Sequence, residues 1–171
     1  MKNSFRAVLA ALLVFIMLGA ILLGVNSMSD SGSSASNPTA SSSALPLVTA
    51  NAGEAPTITA PTGTPPAQLT TSDVIVGTGT EVLPTSTLTV HYTLMAWSTG
   101  QIIESSWDGG QPATFPLANV VEGWQKGLPG AKVGGRRLLI LPPEMGYGAA
   151  GSGPVGPNET LIFAVDIIGV S

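Results

Sequence analysis

Residues Asn119–Tyr147 read NVVEGWQKGLPGAKVGGRRLLILPPEMGY, and this stretch decides how the rest of the chain must be arranged. It opens as a helix start. Asn119 is a favourable N-cap, and Glu122 stands three residues later, where the carboxylate of a capping box belongs. Val120, Val121, Trp124 and Leu128 fall close to one helical face. Gly127, Pro129 and Gly130 end the helix early. A helix this short is unstable alone and must be covered by other elements. Arg137–Leu141 supplies a strand, stopped by Pro142-Pro143. Glu144–Gly148 follows as a loop carrying an exposed tyrosine, Tyr147.

Working outward, Leu88–Trp97 alternates with period two. Leu88, Val90, Tyr92, Leu94 and Ala96 face one way, and Thr89, His91, Thr93, Met95 and Trp97 the other. Ser98-Thr99-Gly100 turns the chain, and Gln101–Ser105 is the return strand of a hairpin. Trp107–Pro112 reads as a loop and Thr114–Leu117 as a short strand or bulge. Gly146–Pro157 is a Gly/Pro-rich flap. Thr160–Val170 closes the chain as a strand with Leu161, Phe163, Val165 and Ile167 on one face. Folded structure is expected from about Ser72, with Val74–Val76 preceding the turn-rich GTGTEV. Many antiparallel strands and one short helix make an α+β domain, a curved sheet wrapped on a helix.

The N-terminal part is of two other kinds. Lys2 and Arg6 precede Ala7–Val25, an uncharged apolar run of about nineteen residues, near the ~20 needed to span a bilayer. Residues 1–25 therefore read as a transmembrane anchor or as a cleaved signal peptide. The basic flank places the remainder outside the cytoplasm in either case. The expected location is membrane-anchored with the domain outside, or secreted after cleavage. Residues 26–71 are rich in Ser, Thr, Ala and Pro, with Asp30 and Glu54 as their charges. That composition predicts a disordered linker with a reach on the order of 35–40 Å, and it also permits an O-glycosylated stalk.

Composition excludes several chemistries. The 171 residues carry 6 Lys+Arg, 10 Asp+Glu and no Cys. So sparse a basic set argues against nucleic acid. The absence of Cys removes disulfides, zinc–cysteine sites and a thiol nucleophile. The single histidine, His91, lies in a strand without an evident partner and reads as a structural or surface residue. Ser152, in GAAGSGPVG, lacks the order of a nucleophile elbow. Gly77 and Gly79 lack the third glycine of a dinucleotide fingerprint and the lysine of a P-loop. The acidic residues show no metal-ligand spacing, and no cofactor is expected.

The VEGWQKGLPGAKVGGRRLLILPPEMGYG segment, VHYT at Val90–Thr93 and the final TLIFAVDIIGV together resemble the FKBP-type peptidyl-prolyl isomerases. The three motifs occur in the family's order and cover roughly the last hundred residues, 72–171, a common domain size. The resemblance implies an FKBP-like fold and prolyl cis-trans isomerisation in protein folding, a reaction that needs neither metal nor nucleophile. It implies a pocket with Trp124 as floor, Tyr92 and Phe163 as walls, and Val120 and Val121 at the rim. Tyr147 would offer its hydroxyl to a substrate carbonyl, and Val155 would line the flap. Proline-containing polypeptides are the implied partners, with macrolides such as tacrolimus and rapamycin bound more weakly than in the family. The weakening follows from departures. The family's Phe-Asp-Ser-Ser is Ile103-Glu104-Ser105-Ser106 here. Ala113 stands where a pocket aromatic aligns, with Phe115 two residues on, and Ser152 replaces a common histidine. Two functions remain open: an isomerase, and a non-catalytic or weakly catalytic binding module or chaperone for proline-containing segments. Ile103 and Glu104 are adjacent on a strand, so both reach one pocket only if a bulge intervenes.

Overall fold

The computed structural model describes residues 45–171. The expected apolar helix over 7–25 and the linker over 26–44 lie outside the described residues. Among the described residues the strands are β1 (Thr70–Ile75), β2 (Thr87–Ala96), β3 (Ile102–Ser105), β4 (Ala113–Pro116), β5 (Arg136–Leu141) and β6 (Leu161–Val170), with a single α-helix, α1 (Glu122–Gly127), between β4 and β5. They form one antiparallel sheet in the order β1-β5-β6-β2-β3. The fourth strand, β4, pairs with Thr87–Val90 on the β2 edge whose far end, Thr93–Met95, pairs with β3. One long strand thus has two short partners on the same side, and residues 106–112 connect them. At the hairpin after β2, Gly100 takes φ 64°, a left-handed turn that glycine adopts without strain.

The alternation read in β2 and β6 is borne out. Leu88, Val90, Tyr92 and Leu94 join Leu161, Phe163, Val165 and Ile167 in the main core, on the face that carries α1. Met95, Trp97, Ile162 and Ala164 lie on the opposite face in a second apolar cluster. The strand β5 has no polar side because both of its faces are covered. Leu139 and Leu141 face α1, while Leu138 and Ile140 face the second cluster.

The cover on that second face corrects the expectation of an unpacked linker through residue 71. Residues 45–64 fold back across the sheet. Val48 bridges Ile58, and Ile58 is buried among Met95, Trp97, Leu138, Ile140 and Ile162. Composition hides this because the segment has few apolar residues, yet it needs few. It packs on a face already made apolar by other strands.

The helix α1 also differs from expectation. Asn119 is not its N-cap. Asn119 closes a 3-10 turn over Leu117–Asn119, and Val121 takes the N-cap place without a side-chain bond. Glu122 pairs with Lys126 one turn on, and the Gln125 amide donates to the carbonyl of Val120 at 2.7 Å. Burial of Val120 competes with the capping box, because a helix begun at Asn119 would have to reposition that side chain. At the other end the Arg137 guanidinium donates to the carbonyls of Gly127 and Pro129, at 3.0 and 3.1 Å. Those groups would otherwise be left open at a helix terminus.

Candidate functional site

The site is built where α1 lies on the sheet. Close approach is made possible by glycine. A methyl group at Gly123 would sit 2.2 Å from Cγ of Leu141, and one at Gly127 would sit 2.4 Å from Cδ2 of Leu139. With α1 pressed on β5, Trp124 is fully buried. Three aromatic rings surround it: Tyr92 at 5.8 Å between centroids, Phe115 at 6.2 Å and Phe163 at 5.3 Å, all edge-to-face. Such pairs contribute about 0.5–1.5 kcal/mol each beyond area burial and hold the rings in fixed geometry. Phe115 also meets Tyr92 at 6.3 Å. The displaced aromatic therefore still reaches the floor. Ala113 and Phe115 are two residues apart on β4, so they share a face.

Around this box stand Val120 and Val155, both buried, and Ile103, Val121 and Tyr147, half-buried against the same cluster. The apolar residues expected in the pocket are thus brought together. Tyr147 is not the exposed side chain that its loop suggested. Ser152 and Val155 pair across the flap, which turns Val155 inward.

The polar edge is made by Tyr92 and Glu104. The Tyr92 hydroxyl donates to Oε1 of Glu104 at 2.7 Å. Glu104 stands opposite Leu94, while Met95 pairs with Ile102. Ile103 is the extra residue of a bulge. That bulge lets Ile103 pack on the core while Glu104 still reaches Tyr92. Burial raises the Glu104 carboxyl above its ordinary range, against the opposing effect of the Tyr92 hydrogen bond. Burial first, then hydrogen bonding to Glu104, raises the Tyr92 phenol. Tyr147 is pushed up to about 12, by burial and then by the Glu104 charge. Both phenols therefore keep their protons at neutral pH and remain hydrogen-bond donors. The indole N–H of Trp124 is buried and finds no acceptor among the described residues.

The chain that builds this aromatic box, with a glycine-packed helix and a tyrosine–carboxylate pair on its edge, is similar to known proteins. Residues 79–168 match the family described as FKBP-type peptidyl-prolyl cis-trans isomerase. The chain belongs to this family. It is 48% identical over 108 residues to a probable FK506-binding protein of Corynebacterium glutamicum, covering 63% of this chain and 92% of that one. Among solved structures it is similar to FkpA from Escherichia coli, with a TM-score of 0.57 and 35% identity over 60% of this chain and 48% of that chain. It is also similar to AtFKBP13, with a TM-score of 0.56 and 30% identity over 63% of this chain and 96% of that chain.

Behind the aromatic box this FKBP-type domain carries residues that the sequence reading missed. The Ser106 hydroxyl lies 2.9 Å from the Tyr92 backbone N–H, which donates to it, and 2.9 Å from Nδ1 of His91. It fixes the Tyr92 backbone just beyond the last β2–β3 pair, Thr93 with Ser105. His91 stacks on Trp107, with centroids 4.0 Å apart and planes at 17°. Burial lowers its pKa, with Asp166 acting in the opposite sense. His91 thus has partners, and its place is structural, beneath Tyr92 on the other face of β2. The buried Arg136 donates through Nε to both carboxylate oxygens of Asp166, at 2.9 and 3.0 Å. No sequence signal pairs these residues, since thirty positions separate them and only the β5–β6 register sets Arg136 opposite Asp166.

Proposed function

We propose that the domain is a peptidyl-prolyl cis-trans isomerase acting outside the cytoplasm on proline-containing polypeptides during their folding. The observation that carries the reading is the Trp124 floor, boxed by Tyr92, Phe115 and Phe163, with two protonated phenols beside it. Isomerisation breaks no bond. It has to remove amide resonance, a barrier of about 18–20 kcal/mol. A proline ring seated on Trp124 takes its amide out of water, which disfavours the more polar planar form. The Tyr147 hydroxyl then donates to the substrate carbonyl. The Tyr92 hydroxyl donates to Glu104. Its part is to hold that carboxylate in place and one wall of the box upright.

The floor is covered in the structure, so substrate entry requires the rim to give way. Ile103, Val121, Tyr147 and Val155 form that rim, and the last two lie in the Gly/Pro-rich flap. FK506-type macrolides enter by the same route. Ile103 offers them less contact than the aromatic residue of the family's motif, so their affinity is reduced. The location outside the cytoplasm is supported by Lys2, Arg6 and the apolar run Ala7–Val25. Among the described residues no helix is long and apolar enough to cross a membrane. Protease shaving of intact cells tests the location, and a domain protected until lysis refutes it. A protease-coupled assay on a proline tetrapeptide tests the activity.

A second reading, a binding module with little turnover, is favoured by one observation, the complete cover over Trp124. The same assay separates the two readings. Saturable binding of a proline peptide without catalysed isomerisation selects the module.

A further inference from the structure

We propose that the sheet face opposite α1 is a second peptide-binding site, which this chain occupies in cis with its own residues 45–64. The inference does not depend on the prolyl pocket. It rests on how the segment is held. Residues 45–64 add no strand to the sheet. Their backbone pairs with itself, Thr49 N–H to the carbonyl of Thr57 at 3.1 Å and Thr59 N–H to that of Leu47 at 2.9 Å. A lone two-stranded ribbon of this size is marginal in water, so the face beneath it keeps it ordered. The ribbon touches that face with alternate residues, as an extended peptide laid on a surface does. Pro46, Pro56 and Ile58 are buried and Val48 is half-buried, whereas the residues flanking each of them are exposed.

The face recognises main chain more than side chains. Arg136 donates through its two terminal nitrogens to the carbonyls of Thr49 and Glu54, at 2.7 and 2.6 Å. Trp97 donates its indole N–H to the carbonyl of Gly63 at 3.3 Å. One slot, among Met95, Trp97, Ile140 and Ile162, takes Ile58. The ligand class is therefore an extended, proline-containing peptide with one branched apolar anchor and small polar residues around it. The site survives loss of its occupant. Arg136 stays paired with Asp166 through Nε and Nη2, and water replaces the two carbonyls that departure removes. No buried charge is stranded, the condition that makes an ion pair costly to break.

The test uses the full chain with a protease site inserted between Ala67 and Gln68, both exposed. After cleavage, a labelled synthetic peptide of residues 45–64 is titrated in and followed by fluorescence anisotropy. The cut chain is expected to remain folded by circular dichroism, release its N-terminal piece and bind the peptide saturably. The uncut chain, already occupied, is expected to bind it at least about tenfold more weakly, because a tethered competitor acts at high effective concentration. A peptide carrying Ile58→Asp should lose at least about tenfold in affinity to the cut chain, since a charge replaces the buried anchor. The proposal is overturned if the cut chain unfolds as the piece leaves, which makes residues 45–64 a core element. It is overturned equally if the peptide fails to bind, or if cut and uncut chains bind it alike.

Discussion

Gly123→Ala is the most informative single change in the site, because two general effects oppose each other there and the structure says which prevails. Alanine favours an isolated helix over glycine by about 1 kcal/mol. In this domain its methyl group would lie 2.2 Å from Cγ and 2.3 Å from Cδ2 of Leu141. Carbon atoms pack at about 3.5–4.0 Å, so helix and strand must part by more than an ångström. Leu141 is completely buried, and the clash falls on its branch point, not on a flexible end. Overpacking of this kind costs about 1–3 kcal/mol, and this geometry belongs at the upper end. A net loss of about 2 kcal/mol is expected, a fall in Tm of roughly 6–8 °C for a domain of this size. The displaced helix carries Trp124 at the next position, so the floor of the proposed pocket moves with it. Misplacement by about 1 Å is enough for a large loss of rate, and kcat/KM on a proline tetrapeptide should fall at least about tenfold. Gly109→Ala is the control. Its methyl group meets nothing within 4 Å, and stability should stay within about 0.5 kcal/mol. Urea unfolding and a protease-coupled assay measure both variants. A Gly123→Ala protein more stable than the parent, with full turnover, would refute the close-packed seat of α1.

Trp124→Leu keeps apolar volume but removes the flat floor, so the protein should fold while proline-peptide turnover falls at least about tenfold. Unchanged turnover in folded protein would take Trp124 out of the active pocket. Glu104→Gln removes a carboxyl whose folded pKa is raised by burial. Such a group stabilises the fold fully below its unfolded pKa, about 4.3, and that contribution is lost as pH rises through the folded value. Parent stability relative to Glu104→Gln, measured by urea unfolding, should therefore decline over the acidic range above about pH 4.3, and a rise would contradict the burial argument. The double variant Ile103→Phe/Glu104→Asp should gain turnover and rapamycin affinity, because the bulge at Ile103 points both side chains to the pocket. Calorimetric titration and the tetrapeptide assay check this, and flat results in a folded variant would sink it. Arg136→Met leaves the buried Asp166 carboxylate without its ion-pair partner and should cost about 3–5 kcal/mol, with a chemical denaturation midpoint near the parent value as the contrary result.

Much of this site was legible because its residues lie on regular elements. Period-two alternation alone put Tyr92 and Phe163 on inward faces, and short-helix spacing put Val120, Trp124 and Leu128 together. What stayed hidden depended on how elements meet. The bulge at Ile103 exists only as a mismatch between β2 and β3, and no property of Ile-Ile-Glu-Ser marks it. Asn119 has every local qualification for an N-cap, yet burial of Val120 claims the backbone first. Tyr147 looked exposed because its neighbours are glycines, and it is half-buried because it packs against the main core cluster. Residues 45–71 were misread for the same reason. Their own composition cannot form a core, but a ready apolar surface and the Arg136 guanidinium receive them.

By itself the sequence determined the alternation of the strands, the short helix and the family to which the chain belongs, since each rests on local spacing that neighbouring residues dictate to one another. Tertiary structure alone decided the partner of Glu104, the ion pair of Arg136 with Asp166, and the docking of residues 45–64 on the second face. Those outcomes turn on strand register and on burial supplied by distant residues. The free energy of a buried contact belongs to the pair that makes it, and neither member's position along the chain records it.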